Sequence, residues 1–448
     1  MPDDADRPAI IPVPTRTQPR PGALRLDRGL SLRVEPEAGG GPGGDPAPVT
    51  VRVDPRRARE HGYALTVDTD RVEIVGADPV GAFHGARTLR QLLPARLWRT
   101  GGAARGAGIP CARVEDHPRL RWRGLMLDVA RRFLPEDFVL RLIDLLALHK
   151  LDVLHLHLTD DQGWRIEVPG YPRLTQVGAW RARTVVGNDL GTSPDPVCDQ
   201  TPHGVCCTEA DLREIVAHAR DRCVEVVPEI DMPGHMQEAI TAYPELGNTG
   251  APTIVRERWG AGTRLLNVDE TAPRFCRDVL AHVMDVFPGR YVHCGGDEVL
   301  DGGALPADVT VVAWRERERG EAAARLGHET VMAPTSHVYL DYYQDEDAAA
   351  EPLAFGGGFV PLSAALDGEA ARRVVGAEAQ MWTGYAATEE HTEYMPFPRL
   401  CAFAEAVWRQ PEERGHDRAD FLARLRVHLE RLEALGVGYR PLDGRNDP

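Results

Sequence analysis

Two adjacent carboxylates, Asp297 and Glu298, follow the short apolar run Tyr291-Val-His-Cys-Gly-Gly. Neighbouring acids repel each other. Such a pair is retained most easily when one stays protonated and the other charged, the arrangement that acid–base chemistry needs. A Gly-Asp turn with a solvated glutamate would look the same locally, so the pair takes its meaning from residues placed like it. Asp128 with Arg131, His155 and His157 with Asp160 and Asp161, and Glu229 and Asp231 with His235 all close short apolar runs. Trp314, Tyr339 with Asp341, and Trp382 do the same. A surface salt bridge or a core aromatic explains each one singly, but not their common place at strand ends. His155 and His157, two apart on a strand, face one side, as metal-dependent amidohydrolases require. Lys150 precedes that strand and cannot bridge a metal pair, which favours supporting imidazoles over metal ligands.

The elements that must position these residues change character near Leu120. From there short apolar strands alternate with helices, which implies parallel pairing. Strands are expected at 123–128, 152–158, 224–230, 291–295, 308–314, 329–334 and 374–380, with helices at 136–149, 209–222, 272–287, 316–326 and 418–435. No Gly-rich fingerprint follows the first strand, and polar residues gather at the strands' C-terminal ends, which favours a closed barrel over an open doubly wound sheet. Only nine residues separate Glu298 from Asp308, whereas a parallel crossover with its helix needs at least ~10–12. Either those strands are not neighbours or one unit is absent, and seven strands where a barrel has eight supports the second. Ahead of the barrel, residues 1–118 read as an α+β domain, with strands at 23–34, 49–53, 63–67 and 72–75, a helix near 82–93 and a Gly/Pro-rich break at 37–48. The expected fold is therefore a TIM (β/α)8-type barrel over 119–448, lacking one α/β unit after its fourth strand and preceded by a small α+β domain.

Composition narrows the function classes. A net charge of −16 with no basic patch argues against nucleic acid, and no apolar run approaches a membrane span. The acidic start Met1-Pro-Asp-Asp-Ala-Asp lacks the apolar core of a secretory signal, so a cytoplasmic location is expected. Eight cysteines in 448 residues make no disulfide scaffold; Cys198, Cys206 and Cys207 share one loop, with free thiols favoured over a local disulfide. Lys150 is the only lysine, which fits a GC-rich genome.

The runs Arg123-Gly-Leu-Met-Leu-Asp-Val-Ala-Arg131, His155-Leu-His-Leu-Thr-Asp-Asp-Gln-Gly-Trp-Arg165 and Pro228-Glu-Ile-Asp-Met-Pro-Gly-His235 resemble the β-N-acetylhexosaminidases of glycoside hydrolase family 20. So do His293-Cys-Gly-Gly-Asp-Glu298, Tyr339-Leu-Asp-Tyr-Tyr-Gln344 and Glu393-Tyr-Met-Pro-Phe-Pro-Arg-Leu400, in the same order, and residues 62–93 are similar to the end of that family's N-terminal domain. The resemblance implies an exo-acting, retaining hydrolase of terminal β-linked N-acetylglucosamine or N-acetylgalactosamine, in which the substrate's own acetamido oxygen is the nucleophile. It implies Glu298 as general acid and base, Asp297 as the group that binds the acetamido N–H, and Tyr339 as the holder of the acetamido oxygen. Arg131 would grip ring hydroxyls, and His235, with Asp231, would set the acidity of Glu298. Trp314 and Trp382 would wall the pocket, Asp341 and Asp161 would bind sugar or support it, and His157 would be a supporting ring. The implied partner is an N-acetylhexosamine-containing oligosaccharide or glycoconjugate, with no metal and no organic cofactor.

Four departures from the family pattern stand out, one of them an N-terminal domain shortened around 37–48, where a helix would be expected. After the Asp-Glu pair the family has a helix and a strand ending in another pocket tryptophan, whereas here Val299 leads almost directly into Asp301-Gly-Gly-Ala-Leu-Pro. Gly384 stands where a glutamate usually contacts sugar hydroxyls, and Cys207 replaces an aromatic before Thr208. These leave a second reading open, a weakly active or inactive sugar-binding relative, beside the remote one of a metal-dependent amidohydrolase.

Overall fold

Two sheets organise the chain. The computed structural model describes residues 8–27, 30–34, 47–56, 59–99, 106–187, 193–297, 305–347, 349, 351, 354–366, 374–410 and 418–442. The first sheet holds β1 (Arg16–Arg25), β2 (Leu30–Val34), β3 (Ala47–Val53), β4 (Tyr63–Val67), β5 (Val72–Gly76) and β6 (Gly108–Asp116), in the order β1-β6-β4-β5-β3-β2. Its alternating apolar residues, among them Leu65, Val67, Val72, Ile74 and Val114, form one buried cluster. Helix Pro79–Gln91 packs beside it, started by Asp78, whose carboxylate accepts from the Gly81 amide at 2.8 Å, with proline in the first turn. The strand expected at 23–34 is two strands, and most of the 37–48 break lies outside the described residues.

The second sheet is wholly parallel. It contains β7 (Trp122–Asp128), β8 (Val153–His157), β11 (Glu225–Glu229), β12 (Val311–Ala313), β13 (Thr330–Met332) and β16 (Gly376–Met381), in the order β11-β8-β7-β16-β13-β12. Two small pairs decorate its C-terminal end: β9 (Thr159–Asp160) with β10 (Gly163–Trp164), and β14 (Tyr342–Tyr343) with β15 (Phe355–Phe359). Leu125, Leu127, Leu154, Leu156, Val226, Ala377, Ala379 and Met381 join one large cluster with residues of the helices Glu136–Leu148, Glu209–Arg220, Thr271–Val286, Arg399–Trp408 and Arg418–Ala434. The period of two along a strand sends the alternate residues inward. Inside, Trp122, Val153, Val227 and Val331 make a separate apolar floor, and above it come Asp128, His155, His157, Glu229 and Glu378. Strands β7, β8, β11 and β16 thus change from apolar to ionisable along their inner faces.

The fourth expected strand is reduced to a single ladder step. His293 bridges Glu229 in parallel register, with the His293 amide donating to the Pro228 carbonyl at 2.9 Å and the Ile230 amide to the His293 carbonyl at 3.1 Å. Among the described residues no backbone pairing joins this segment to β12. The curled sheet is therefore open where the sequence leaves too few residues for a further α/β unit. Near the barrel floor side chains span the gap: Tyr291 packs its ring 5.2 Å from Trp122 and its hydroxyl reaches Glu329 at 3.5 Å.

The two sheets are locked together by the sole lysine. Lys150 is fully buried, and its Nζ donates to Asp116 Oδ2 at 2.8 Å and to the Tyr63 hydroxyl at 2.9 Å. Its ammonium lies 4.5 Å from the Trp408 ring, and Trp408 Nε1 donates to the other Asp116 oxygen at 2.9 Å. All eight cysteines are free thiols, including Cys198, Cys206 and Cys207.

Candidate active site

The end of β7 sets the first wall. Asp128 Oδ1 accepts from the amides of Ala130 and Arg131, at 2.9 and 3.0 Å, and its Oδ2 accepts from the Thr383 amide and hydroxyl, both at 3.1 Å. One buried carboxylate thus ties the turn after β7 to the end of β16. The turn delivers the Arg131 guanidinium over the Trp382 ring, 4.7 Å from its centre, with Nη2 2.6 Å from Asp160 Oδ2. Arg131 Nη1 makes no hydrogen bond among the described residues and lies 3.6 Å from Asp128 Oδ2. Burial lowers the guanidinium's pKa, but Asp160 and Asp128 outweigh it, and the group stays charged.

Asp160 is the hub on this side. It accepts from Arg131, from His157 Nε2 at 3.0 Å and from His235 Nδ1 at 3.0 Å. Burial would raise its carboxyl, but Arg131 and His235 overrule that and hold it well below the usual carboxylate range. His235 answers in kind: burial disfavours its charge, yet Asp160 holds the ring up at about 10. With Nδ1 so engaged, His235 Nε2 points to Asp297, 4.0 Å from Oδ2.

Asp297 reaches that position through two glycines with left-handed backbone, Gly295 at φ 64° and Gly296 at φ 96°. A Cβ on Gly295 would lie 1.8 Å from Asp231 Oδ1 and 2.7 Å from its Cα, so only glycine fits. Asp231 is buried beneath, and burial, with the charges of Asp297 and Glu229, pushes its carboxyl well above the usual range. Across the mouth stands Tyr339, anchored by its bridge to Gln380 of β16. Burial holds its hydroxyl well above its ordinary value, and the charges of Asp341 and Asp297 add to that. The Trp314 ring lies 6.4 Å from Tyr339, and Trp382 stands edge-on to His157 at 5.0 Å. Asp341 is buried with Oδ1 unpartnered among the described residues, and burial pushes its carboxyl up to about 8.

The structure thus brings together Asp297, Arg131, His235, Asp231, Trp314, Tyr339, Asp341, Trp382 and His157. Glu298 lies outside the described residues. Asp161 stands apart in kind: it is fully buried, and its two oxygens accept from the amides of Gln237 and Gly262, so it braces loops instead of facing the pocket. At Gly384 a Cβ would meet nothing nearer than the Trp259 ring at 3.4 Å. Cys207 is buried, with its amide bonded to the Arg165 carbonyl, and Thr208 caps the next helix.

Sequence reasoning missed the barrel's inner charge layer. Glu229 carries three imidazoles: His293 Nδ1 at 2.7 Å on Oε1, and His155 Nε2 at 3.1 Å with His157 Nδ1 on Oε2. Glu378 takes the other nitrogen of His155 at 2.9 Å and Trp122 Nε1 at 3.1 Å. Of the groups with metal-ligand composition among the described residues, His155 with Glu229 and His293 is built from these contacts, whereas His149 with Cys401 and His428 lies apart from them. All four ring nitrogens of His155 and His157 face carboxylates, and Glu378 and Glu229 hold His155 up at about 9 against its burial. A ring protonated on both nitrogens offers a metal no lone pair. The only legible signal of this layer was the spacing of His155, His157 and Glu229, because their pairing depends on strand register.

Comparison with known proteins agrees with this geometry. Residues 120–304 and 298–411 match the glycosyl hydrolase family 20 catalytic domain, in two stretches that meet at the shortened link, and residues 37–117 match domain 2 of that family. A beta-hexosaminidase of Porphyromonas gingivalis is 34% identical over 93% of this chain, which spans 59% of that protein's length. A beta-N-acetylhexosaminidase of Cellulomonas fimi is 36% identical over 89% of this chain and 84% of its own. The solved family 20 beta-N-acetylhexosaminidase of Streptomyces coelicolor A3(2) superposes with a TM-score of 0.80 at 30% identity, covering 97% of this chain and 98% of that one. The chain belongs to glycosyl hydrolase family 20.

Proposed function

We propose that this chain is an exo-acting β-N-acetylhexosaminidase, removing a terminal β-linked N-acetylglucosamine or N-acetylgalactosamine with retention through the substrate's own acetamido group. The observation that carries the reading is one connected cluster: Arg131 lies over Trp382 and against Asp160, and Asp160 holds His235, whose Nε2 is 4.0 Å from Asp297. Asp297 accepts the acetamido N–H and Tyr339 donates to the acetamido oxygen, which directs that oxygen at C1. Glu298 gives its proton to the leaving oxygen as the C1–O bond breaks, and positive charge on the cyclised intermediate is met by Asp297. Glu298 then takes a proton from the water that reopens the ring at C1, and the product keeps the β-configuration. Arg131 Nη1 and the buried Asp341 carboxyl, protonated near neutrality, serve the ring hydroxyls. The partner is an N-acetylhexosamine-containing oligosaccharide or glycoconjugate.

Release of p-nitrophenol from the β-N-acetylglucosaminide and the β-N-acetylgalactosaminide tests this reading. Glu298→Gln should lower kcat/KM by ~10²–10⁴-fold and Asp297→Asn by ~10²–10³-fold, with thiazoline-type mimics of the intermediate inhibiting the unaltered enzyme. No turnover of either substrate, or turnover blind to the thiazoline, would overturn it.

A further inference from the structure

Asp297 is held from two directions, and both lead back to one buried carboxylate. In the first, Glu229 Oε1 contacts His293 Nδ1 at 2.7 Å, four residues before Asp297 on the same segment. In the second, Glu229 Oε2 contacts His157 Nδ1, His157 Nε2 contacts Asp160, and Asp160 holds His235, whose Nε2 faces Asp297. The segment that carries Asp297 has its inner side on β11, by the His293 and Ile230 amide bonds and a third from the Met232 amide to the Cys294 carbonyl at 3.2 Å. Its other side meets no strand among the described residues. A closed barrel clamps each strand from both sides, whereas this one is clamped from one side, and its side-chain anchor is correspondingly more important. The glycines at 295 and 296 add backbone freedom between that anchor and the carboxylate.

We propose that Glu229 is a positioning residue for Asp297: by binding His293 and His157 together, its carboxylate fixes both the strand that carries Asp297 and the histidine that faces it. This rests on the hexosaminidase reading only for its catalytic consequence. The mechanical part stands on the contacts themselves. Glu229 touches no substrate; its His293 arm acts on the Asp297 segment, and its His157 arm ends on Asp160, which holds both His235 and Arg131.

Two measurements separate the mechanical claim from the catalytic one. Hydrogen exchange followed by mass spectrometry needs no turnover. Glu229→Gln should speed exchange of peptides covering 289–297 by ~10-fold or more while β7 keeps its protection. His293→Asn removes one arm only and should give the same local pattern should Glu229→Gln fail to fold. Unchanged exchange at 289–297, or equal acceleration of that segment and β7, overturns the proposal whether or not the enzyme is active. In the active enzyme, Glu229→Gln, or His293→Asn in its place, should lower kcat/KM by ~10–100-fold, mainly through kcat. In an Asp297→Asn background His293→Asn, which leaves the Asp160–Arg131 branch intact, should change it by no more than about 3-fold, because the group it positions is gone. Equal losses in both backgrounds overturn it. Absence of turnover in the unaltered enzyme would instead count against the hexosaminidase reading and leave the exchange result to decide the anchor.

Discussion

Every imidazole in the mouth of this barrel has a carboxylate against it, so the site is built from charges that neutralise one another out of water. Burial alone would strip the protons from these rings, and the acids reverse that outcome, holding His155 at about 9 and His235 at about 10. The groups facing His235 are Asp160, Asp161, Asp297 and Asp231, with Arg131 opposing. The linked stability has a definite sign. A ring bound more tightly to its proton in the folded state contributes fully below its ordinary value of 6.5, and that contribution disappears as pH rises through 9 to 10. The melting temperature should therefore fall from about pH 6.5 and level off as pH passes 9 to 10. A thermal melt series that is flat across this window would contradict the assignment. The residues on the mouth's rim were legible in the sequence because strand ends are visible as changes from apolar to polar. Glu229 was not, since its meaning lies in which rings stand opposite, and the register Glu229–His157–Asp128 exists only in the folded sheet.

The strands explain why local pattern carried the reading so far and where it stopped. All seven barrel positions were foreseen, but the fourth collapses from five expected residues to one ladder bridge. Its apolar run is short, and the two glycines that follow are needed for their backbone, not for a strand. Gly295→Ala tests that need. The new methyl must displace Asp231, so the substitution should cost more than the ~1 kcal/mol of an ordinary strained left-handed residue and lower kcat/KM by ~10²-fold or more by moving Asp297. Denaturant melts and kinetics on the same sample check both. Helix Arg399–Trp408 escaped the sequence reading for a different reason. All ten of its residues are buried, so no polar face marks a helical period. Strand β6 was hidden by Gly108 and Pro110, which look like loop residues until β1 is seen to pair with them, β4 joining only from Ala112 onward.

At the scale of the whole molecule, an incomplete barrel leans on the domain in front of it. Trp408 belongs to the apolar cluster of the first sheet although its helix packs on the barrel, and Lys150 reaches the other way to Asp116 and Tyr63. Burial pulls the ammonium's pKa down and Asp116 resists, so the pair survives because both halves are present. Lys150→Met keeps the volume but leaves Asp116 a buried charge without its cation, which should cost ~3–5 kcal/mol. A urea midpoint within error of the unaltered protein would refute that. The change of pattern near Leu120 led to an expected division there, but nothing in the sequence marked one lysine as the bolt between the two sheets. That bolt has a practical use. Apart from the α-amino group, a reagent that acylates primary amines has a single target in this chain, and the target is shut inside the seam. Mass added at residue 150 then counts the molecules whose two sheets have parted, a built-in reporter of domain separation that needs no engineered label.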